Sequence, residues 1–349
     1  MPYQNRYHIF NLANGFMKDF CPRCSEDRGG AVGRGRSVIG LGETVYDIIF
    51  RDNQPQRAVP GGSAFNAIIS LGRVLKRDDA PAAQVTMITE TGDDHIGQLT
   101  RDFMEENGVD TSLVTVNKGT KSHISLAFLD QDNNAQYTFY KDHASAKLTP
   151  HSSLLIPHSE DIVVFGSFFA INPVIREHTR ALLQAAHDAG AFLYYDINFR
   201  KSHIADIPEV IENLEENMRL ATVVRGSAED FGYLYGTTDA REVYDRHIRQ
   251  HCQHFICTDG AGPIRLFSPA FYEAQIPTER LANVVSTIGA GDNFNAGFVY
   301  ALVRDGITPE KLTTWPVWLP LIETGQRFSA HVCQRIENYV DIAFSPKTI

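Results

Sequence analysis

The chain has 349 residues, of which 43% are hydrophobic and 21% charged, and its formal net charge is −10. This composition is ordinary for a globular protein with a sizeable core, and one large domain with a small appendage fits the length. The acidic balance gives no support for nucleic-acid binding, and no apolar run is long enough to span a bilayer. The odd number of cysteines, five, indicates reduced thiols and a cytoplasmic location.

Residues 1–36 differ from the rest of the chain. They lack helical or strand periodicity, and they include a stretch at 28–36 that is rich in glycine and arginine. We interpret this segment as an N-terminal extension and expect it to be partly disordered. Its Cys21 and Cys24 form a Cys-x-x-Cys pair, but a zinc site needs about two more ligands, and only His8 is close. This argues against a zinc site.

From Ser37 onward, short apolar strands alternate with amphipathic helices. The predicted strands are 38–41, 85–89, 162–165, 192–196, 222–224 and 255–258. The predicted helices among them include 96–107, 173–189, 208–219 and 240–251. Such alternation predicts an α/β fold with a parallel sheet and helices on both faces. Ligands in such folds bind at the carboxyl ends of the strands, and Asp196, Glu229 and Asp292 are each expected to follow a strand.

Two segments break this alternation. Residues 46–59 are predicted to form an extended strand with a polar centre, and residues 121–141 a hairpin that turns at 130–134. An edge hairpin that packs on its own domain is one interpretation of the second segment.

The most informative motif runs from Ser286 to Phe298. Gly289, Ala290 and Gly291 have little or no side chain, so their backbone N–H groups can surround an anion at the start of a helix predicted at 293–302. Asp292 stands where the anion would bind, which suggests a general base for an attacking hydroxyl. The alternatives are a tight strand-to-helix connection and a helix N-cap role for Asp292.

A second glycine turn precedes the helical pattern at 63–75. Pro60, Gly61 and Gly62 interrupt the chain, and Ser63 is predicted as the N-cap. Asn66, in the first helical turn, could hydrogen-bond a polyhydroxylated ligand that the glycines allow to come close. The alternative is that Asn66 bonds only to local backbone.

Together the two turns resemble the signatures of the PfkB (ribokinase-like) family of carbohydrate kinases, and the resemblance extends from about residue 38 to about residue 333. It implies a three-layer fold with a small β-sheet lid formed by about 46–59 and 121–141, within a kinase domain at 37–349. It also implies transfer of the ATP γ-phosphoryl group to a sugar hydroxyl, with Asp292 as general base and Gly289, Ala290 and Gly291 as the anion hole. Pairing of lids between subunits implies a homodimer.

The resemblance assigns the remaining site residues by position. The expected sugar-binding residues are Asp47, Gly61, Gly62, Asn66, Tyr140, Lys141 and Arg200, the last of which could equally be a surface ion-pair residue. The expected nucleotide-binding residues are Asn198, Glu229, Thr258, Gly260 and Gly262. Glu229 is also expected to organise Mg²⁺ through water.

Three positions depart from the family pattern. Ser286 replaces the aspartate that supports a monovalent-cation site, so activation by such ions is not expected. Gly226 replaces the Asn of Asn-x-x-Glu, and Lys141 replaces an arginine typical of ketodeoxygluconate kinases, which favours a neutral sugar. A fructokinase-like activity is the first hypothesis, with ribokinase, 2-keto-3-deoxygluconate kinase and nucleoside kinase behind it.

The changes at Ser286 and Gly226 also leave open a catalytically weak sugar- or nucleotide-binding protein on the same fold. Two other classes of enzyme are disfavoured. Gly40 and Gly42 begin like a dehydrogenase glycine turn, but no third glycine follows in place, and no Gly-x-x-x-x-Gly-Lys-Ser/Thr occurs.

Overall fold

The computed structural model describes residues 35–77, 82–129, 135–140 and 157–346. Its strands are β1 (Arg36–Leu41), β2 (Val45–Arg51), β3 (Gln54–Gly61), β4 (Ala83–Gly92), β5 (Val114–Asn117), β6 (Ile124–Leu129), β7 (Ala135–Tyr140), β8 (Ile162–Gly166), β9 (Phe192–Asp196), β10 (Val223–Ser227), β11 (Phe255–Thr258), β12 (Ile264–Ser268) and β13 (Tyr272–Ile276). Its α-helices are α1 (Ser63–Leu75), α2 (His95–Glu106), α3 (Ser167–Ile171), α4 (Arg176–Asp188), α5 (Ile207–Leu220), α6 (Ala228–Tyr235), α7 (Ala240–Val243), α8 (Ala290–Arg304) and α9 (Trp315–Cys333). The extension predicted at 1–36 lies almost wholly outside the described residues.

A nine-stranded sheet forms the centre of the fold, in the order β13-β12-β11-β10-β9-β8-β1-β4-β5. The strands from β11 to β5 in that order are parallel, and β12 and β13 are antiparallel additions at one edge. All six predicted strands belong to the parallel part. Their carboxyl ends therefore lie along one edge of the sheet, where an open α/β fold binds its ligands.

The sheet separates two hydrophobic cores, because successive side chains of a strand point to opposite faces. In β1, Val38 belongs to the core that includes α1, α8 and α9, whereas Ile39 and Leu41 belong to the core that includes α4, α5 and α6. The result is the three-layer α/β arrangement that the sequence predicted.

A separate four-stranded sheet has the order β3-β2-β6-β7. The expectation of one extended strand at 46–59 was wrong, since this segment folds as the β2–β3 hairpin. Its two turn residues, Asp52 and Asn53, have φ values of 51° and 59°, and two such residues in succession suit a tight hairpin turn. The hairpin predicted at 121–141 is confirmed as β6 and β7, although its turn at 130–134 and Lys141 lie outside the described residues.

Several predicted boundaries moved. The helix expected at 173–189 begins only at Arg176, and the helix expected at 240–251 divides into α7 and a π-helix, Tyr244–Ile248. The helix expected from residue 293 begins earlier, at Ala290, after Gly289 adopts a left-handed conformation with φ 77°. Asp292 was expected to follow a strand, but the segment at 277–289 separates it from β13.

Candidate active site

The carboxylate of Asp292 lies at the junction of the two glycine turns. It is buried, with 7% of its surface exposed, in the first turn of α8. Its Oδ1 accepts a hydrogen bond from Ser63 Oγ at 2.7 Å, and its Oδ2 accepts one from Asn66 Nδ2 at 2.8 Å. Two segments 226 residues apart in sequence therefore meet at one carboxylate.

The pKa of Asp292 is raised from its ordinary value, because burial penalises the charged form. The hydrogen bonds from Asn66 and Ser63 act in the opposite direction, as does the positive charge of Arg200. A buried carboxylate with a raised pKa, held by two donors, can both accept a proton and keep a fixed orientation.

Asp292 is not the N-cap of α8, and Ser63 is not the N-cap of α1. Gly289 and Gly62 occupy the two capping positions, and neither cap makes a side-chain hydrogen bond. Ser63 is instead the first residue of α1, which leaves its hydroxyl free to reach Asp292. The N-cap alternative for Asp292 is thereby excluded.

The glycines of the 289–291 turn are required by close contacts. A Cβ atom at Gly289 would lie 2.7 Å from the backbone oxygen of Asn338, and one at Gly291 would lie 2.9 Å from Nη2 of Arg225. The N–H of Ala290 donates to the carbonyl of Thr287 at 3.2 Å, so the turn already uses it. Gly291 and Asp292 supply first-turn amides of the kind that an α-helix leaves without intrahelical partners, and these amides suit an anion.

Asp47, Gly61 and Asn66 lie together where the lid sheet runs into α1. A Cβ atom at Gly61 would lie 2.2 Å from Oδ2 of Asp47 and 3.8 Å from Oδ1 of Asn66. Asp47 is buried and accepts a hydrogen bond from Ser125 on β6. Burial raises its pKa to about 6, against the opposing effect of the Ser125 bond and with a smaller contribution from the charge of Asp292. The carboxylate of Asp292 is therefore close enough for its charge to affect the pKa of Asp47.

One polar atom and one glycine turn at this point suit a ligand. Oδ1 of Asn66 is buried and has no hydrogen-bond partner within the described ranges. A Cβ atom at Gly62, whose φ is 125°, would lie 2.4 Å from the backbone oxygen of Glu43, so this turn also requires glycine. The arrangement presents an amide oxygen and a carboxylate to a hydroxyl-bearing molecule.

Asn198 stands at the carboxyl edge of the sheet in an unusual conformation. Its φ is 39°, and that of Ser167, which follows β8, is 55°. Nδ2 of Asn198 donates to Oγ of Ser167 at 2.7 Å, which joins the ends of β8 and β9. Left-handed residues other than glycine cluster at functional sites. Nothing in the sequence pattern singled out Ser167. Arg200, two residues further on, is exposed. Its positive charge partly offsets the rise that burial causes in the pKa of Asp292 and of Asp230.

Asp196 and Arg225 form a buried ion pair that the sequence did not reveal. Nη1 of Arg225, on β10, lies 3.0 Å from Oδ1 of Asp196 at the end of β9, and Nη2 donates to Oγ1 of Thr258 at 2.7 Å. Asp196 Oδ2 also accepts from Nδ2 of Asn295 on α8 at 2.7 Å. One hydrogen-bond network thus joins β9, β10, β11 and α8.

The expected magnesium residue, Glu229, is exposed and accepts a hydrogen bond from the Tyr233 hydroxyl at 2.6 Å. Its neighbour Asp230 is buried, caps the start of α6 together with Ser227, and has its pKa raised to about 6 by burial. In the chain outside the masked segments, no group of three or more His, Cys, Asp or Glu side chains gathers to hold a metal ion. A Mg²⁺ ion held by substrate phosphates and water fits such a site, because it needs only one or two protein carboxylates.

The remaining predicted residues lie at separate places. Thr258 ends β11, and Gly260 and Gly262 lie in the turn after it, where Gly260 has φ 47° and no atom would contact an added Cβ within 4 Å. Tyr140 lies on β7, with 59% of its surface exposed. Ser286 is buried, and its hydroxyl accepts a hydrogen bond from the N–H of Ile288 at 3.2 Å.

Comparisons with known proteins identify the family of the chain. The sequence model of the pfkB family carbohydrate kinases matches residues 36–314. The chain is 25% identical over 280 residues to a probable fructokinase-5 of Arabidopsis thaliana, covering 77% of this chain and 83% of that protein. It is also 25% identical over 268 residues to the aminoimidazole riboside kinase of Salmonella typhimurium, covering 76% and 80%.

Solved structures show the same fold. A fructokinase from Xylella fastidiosa with bound ATP superposes with a TM-score of 0.69 at 22% identity, covering 86% of this chain and 92% of that one. The aminoimidazole riboside kinase of Salmonella enterica, complexed with aminoimidazole riboside and an ATP analogue, gives a TM-score of 0.73 at 22% identity, covering 88% and 97%. Among the residues that the structure describes, no helix is long and apolar enough to cross a membrane.

The family match and the site define a phosphotransferase whose acceptor is a hydroxyl group. The chain belongs to the pfkB family of carbohydrate kinases.

Proposed function

We propose that this protein is an ATP-dependent sugar kinase with a preference for a neutral sugar such as fructose. The observation that carries the proposal is the position of Asp292. Its carboxylate is buried beside the first-turn amides of α8 and is hydrogen-bonded by Ser63 and Asn66 from the second glycine turn. A proton acceptor beside an anion site is what transfer of a phosphoryl group to a hydroxyl requires.

In the proposed reaction, Asp292 accepts the proton of the sugar hydroxyl as that oxygen attacks the γ-phosphorus of ATP. The hydroxyl replaces one of the two present donors, and Ser63 is the more accessible of these because it is only half-buried whereas Asn66 is buried. The amides of Gly291 and Asp292, at the positive end of α8, stabilise the charge on the transferred group. Arg200 is close enough to influence Asp292 and would pair with phosphate.

The sugar would lie against Asp47, Gly61 and Asn66. Asp47 accepts hydrogen bonds from sugar hydroxyls, and the unpartnered Oδ1 of Asn66 accepts another. The lid strands β2 and β6, joined by the bond between Ser125 and Asp47, limit the access of water that would compete as nucleophile.

Asn198 follows β9 and the turn at Thr258, Gly260 and Gly262 belongs to the end of β11, with β10 between the two strands, and we propose that these residues line the nucleotide. Mg²⁺, when bound to ATP, neutralises phosphate charge and orients the phosphates. The sequence assigned Glu229 to organise this ion through water, and its carboxylate is exposed and therefore accessible to a hydrated ion. The neighbouring Asp230 is buried and already accepts a hydrogen bond from the N–H of Ser227.

The identity of the acceptor is tested by measuring ADP release with a panel of hydroxyl compounds. The panel contains D-fructose, D-ribose, 2-keto-3-deoxygluconate and aminoimidazole riboside, each with ATP and Mg²⁺. We expect the highest kcat/KM with fructose, in line with the plant fructokinase relatives. A nucleoside kinase is the second candidate, because one relative is an aminoimidazole riboside kinase and a solved structure of such a kinase shares the fold. A higher kcat/KM with the riboside would favour it.

A catalytically weak binding protein remains the contrasting hypothesis. It predicts saturable sugar or ATP binding, measured by calorimetry, with no acceptor-dependent ADP release. The intact Asp292 and its two hydrogen-bond donors favour turnover instead.

We further propose that two subunits pair through their lid sheets. β7 is an edge strand of the lid, and Phe139 and Tyr140 on it are exposed, which is typical of a strand edge that pairs with another. A dimer by analytical ultracentrifugation that dissociates on Phe139→Lys would support this, whereas a wild-type monomer would exclude it. The buried free thiols of Cys252, Cys257 and Cys333 favour a reducing, cytoplasmic location.

A further inference from the structure

We propose that Arg225 is a positioning residue for phosphoryl transfer. Its buried guanidinium packs against Gly291 and thereby fixes the glycine turn of the anion site. This inference rests on the proposed kinase function. Arg225 lies on β10 and belongs to neither of the two glycine motifs.

The guanidinium of Arg225 packs against Gly291 itself. A Cβ atom at position 291 would lie 2.9 Å from Nη2, 3.0 Å from Nη1 and 3.3 Å from Cζ, so all three atoms of the planar group approach the glycine. Any larger residue at 291 would have to displace a buried cation. Gly291 is therefore needed for its contact with Arg225 as well as for the access of an anion.

Arg225 cannot move easily, because its partners hold it from two sides. Nη1 donates to Oδ1 of Asp196 at 3.0 Å and to Oδ2 at 3.2 Å, and Nη2 donates to Oγ1 of Thr258 at 2.7 Å. Only 6% of the surface of Arg225 is exposed. A planar fork held at both ends by β9 and β11 fixes the group far better than a lysine would.

The same network reaches α8 by a second route. Asp196 Oδ2 accepts from Nδ2 of Asn295 at 2.7 Å, and Oδ1 of Asn295 accepts from the hydroxyl of Tyr194 at 3.0 Å. Asn295 lies three residues after Asp292, on the next turn of the same helix. The ion pair therefore fixes both the glycine turn and the helix that carries the base.

The charge on this residue is maintained in spite of its burial. Asp196 raises the pKa of Arg225 above its ordinary value, against the effect of desolvation. The cation thus stays charged where it packs against Gly291, and its ion pair with Asp196 holds it in that place. A group fixed in this way keeps the amides of the turn oriented toward a developing anion.

The test compares wild type with R225Q, R225K and the double variant R225Q/D196N, which leaves no unpaired buried charge. Each protein is assayed for thermal unfolding, for kcat and KM with D-fructose and ATP, and for ATP affinity by calorimetry. For R225Q we expect kcat to fall about 10²-fold, comparable with the loss of one anion-hole donor. Its KM for fructose should stay within about twofold, and its ATP affinity should weaken about fivefold, since the sugar site is formed by other residues.

R225K retains the cation without the fork, and we expect it to recover about tenfold of the lost kcat. The double variant should regain the unfolding temperature lost in R225Q without regaining kcat. A wild-type kcat in R225Q, a kcat that recovers together with stability in the double variant, or a loss confined to the fructose KM would each overturn the proposal.

Failure of the kinase assignment gives a different pattern. Wild-type protein would then release no ADP with fructose or any other acceptor of the panel. The role of Arg225 in phosphoryl transfer then falls with the kinase assignment, and ATP affinity tests the remaining structural claim. A weaker affinity in R225Q than in wild type supports a role of Arg225 in shaping the anion site, and equal affinities overturn it.

Discussion

Replacement of Asp292 by asparagine separates the chemical role of this residue from its structural role. The carboxylate accepts one hydrogen bond from Ser63 Oγ and one from Asn66 Nδ2. An asparagine can keep both contacts, because its amide oxygen accepts from Asn66 while its NH₂ group donates to the Ser63 hydroxyl, which can rotate to accept. The substitution therefore preserves the geometry of the glycine turns.

The same substitution removes a buried ionisable group. The folded-state pKa of Asp292 is raised by burial, so the ionised form is disfavoured in the folded protein and its contribution to stability falls as the pH rises. We therefore expect Asp292→Asn to unfold at the same temperature as wild type, or higher, at neutral pH.

Turnover should nevertheless fall by roughly 10²–10⁴, because a general base contributes this much to a proton transfer. That range corresponds to about 2.7–5.5 kcal/mol in the activation free energy. The assay is acceptor-dependent ADP release, measured alongside thermal unfolding. Asp305→Asn is the matched control, since Asp305 is an exposed aspartate at the other end of α8, and it should leave kcat unchanged. A folded Asp292→Asn protein with a kcat within a few-fold of wild type would refute the assignment of Asp292 as the base.

Three further outcomes are expected. Asp47 has a folded-state pKa of about 6 against an ordinary 3.8, so its contribution to stability is complete below the lower value and is lost as pH rises through about 6. Asp47→Asn should therefore reduce the fall in unfolding temperature between about pH 4 and 7, and it should abolish sugar binding. An unchanged pH profile of the unfolding temperature would contradict this. Gly61→Ala places a Cβ atom 2.2 Å from the Asp47 carboxylate and should raise the fructose KM roughly tenfold, as overpacking does, whereas Gly232→Ala, with an ordinary contact of 3.4 Å, should not. Because Ser286 supplies a hydroxyl where a carboxylate would hold a cation, kcat should be equal in potassium and choline salts, and a marked activation by potassium would show that backbone carbonyls suffice.

Local sequence signals predicted the sheet and the position of its functional edge. Periodicity located six of the seven strands of the parallel part, because buried strands are short, apolar and bounded by polar turns. It missed the four-residue β5. The π-helix at Tyr244–Ile248 and the late start of α4 escaped because helical ends depend on packing and hydrogen bonding that periodicity does not record. The β2–β3 hairpin was missed since its turn residues, Asp52 and Asn53, contain no glycine.

The sequence by itself identified the residues that we propose carry the chemistry. These are two glycine turns, an aspartate after one and an asparagine after the other, in an order typical of one family of kinases. Only the tertiary structure decided how they meet. The bond between Asn66 and Asp292 joins residues 226 positions apart, and the change of Ser63 from an expected cap to a donor depends on where α1 begins. The burial of Asp230 and the exposure of its neighbour Glu229 likewise depend on tertiary packing. The contact of Arg225 with Gly291 has no local signature, because it depends on how α8 packs against β10. The distance between this helix and this strand is set by the packing of the whole core and not by any single segment.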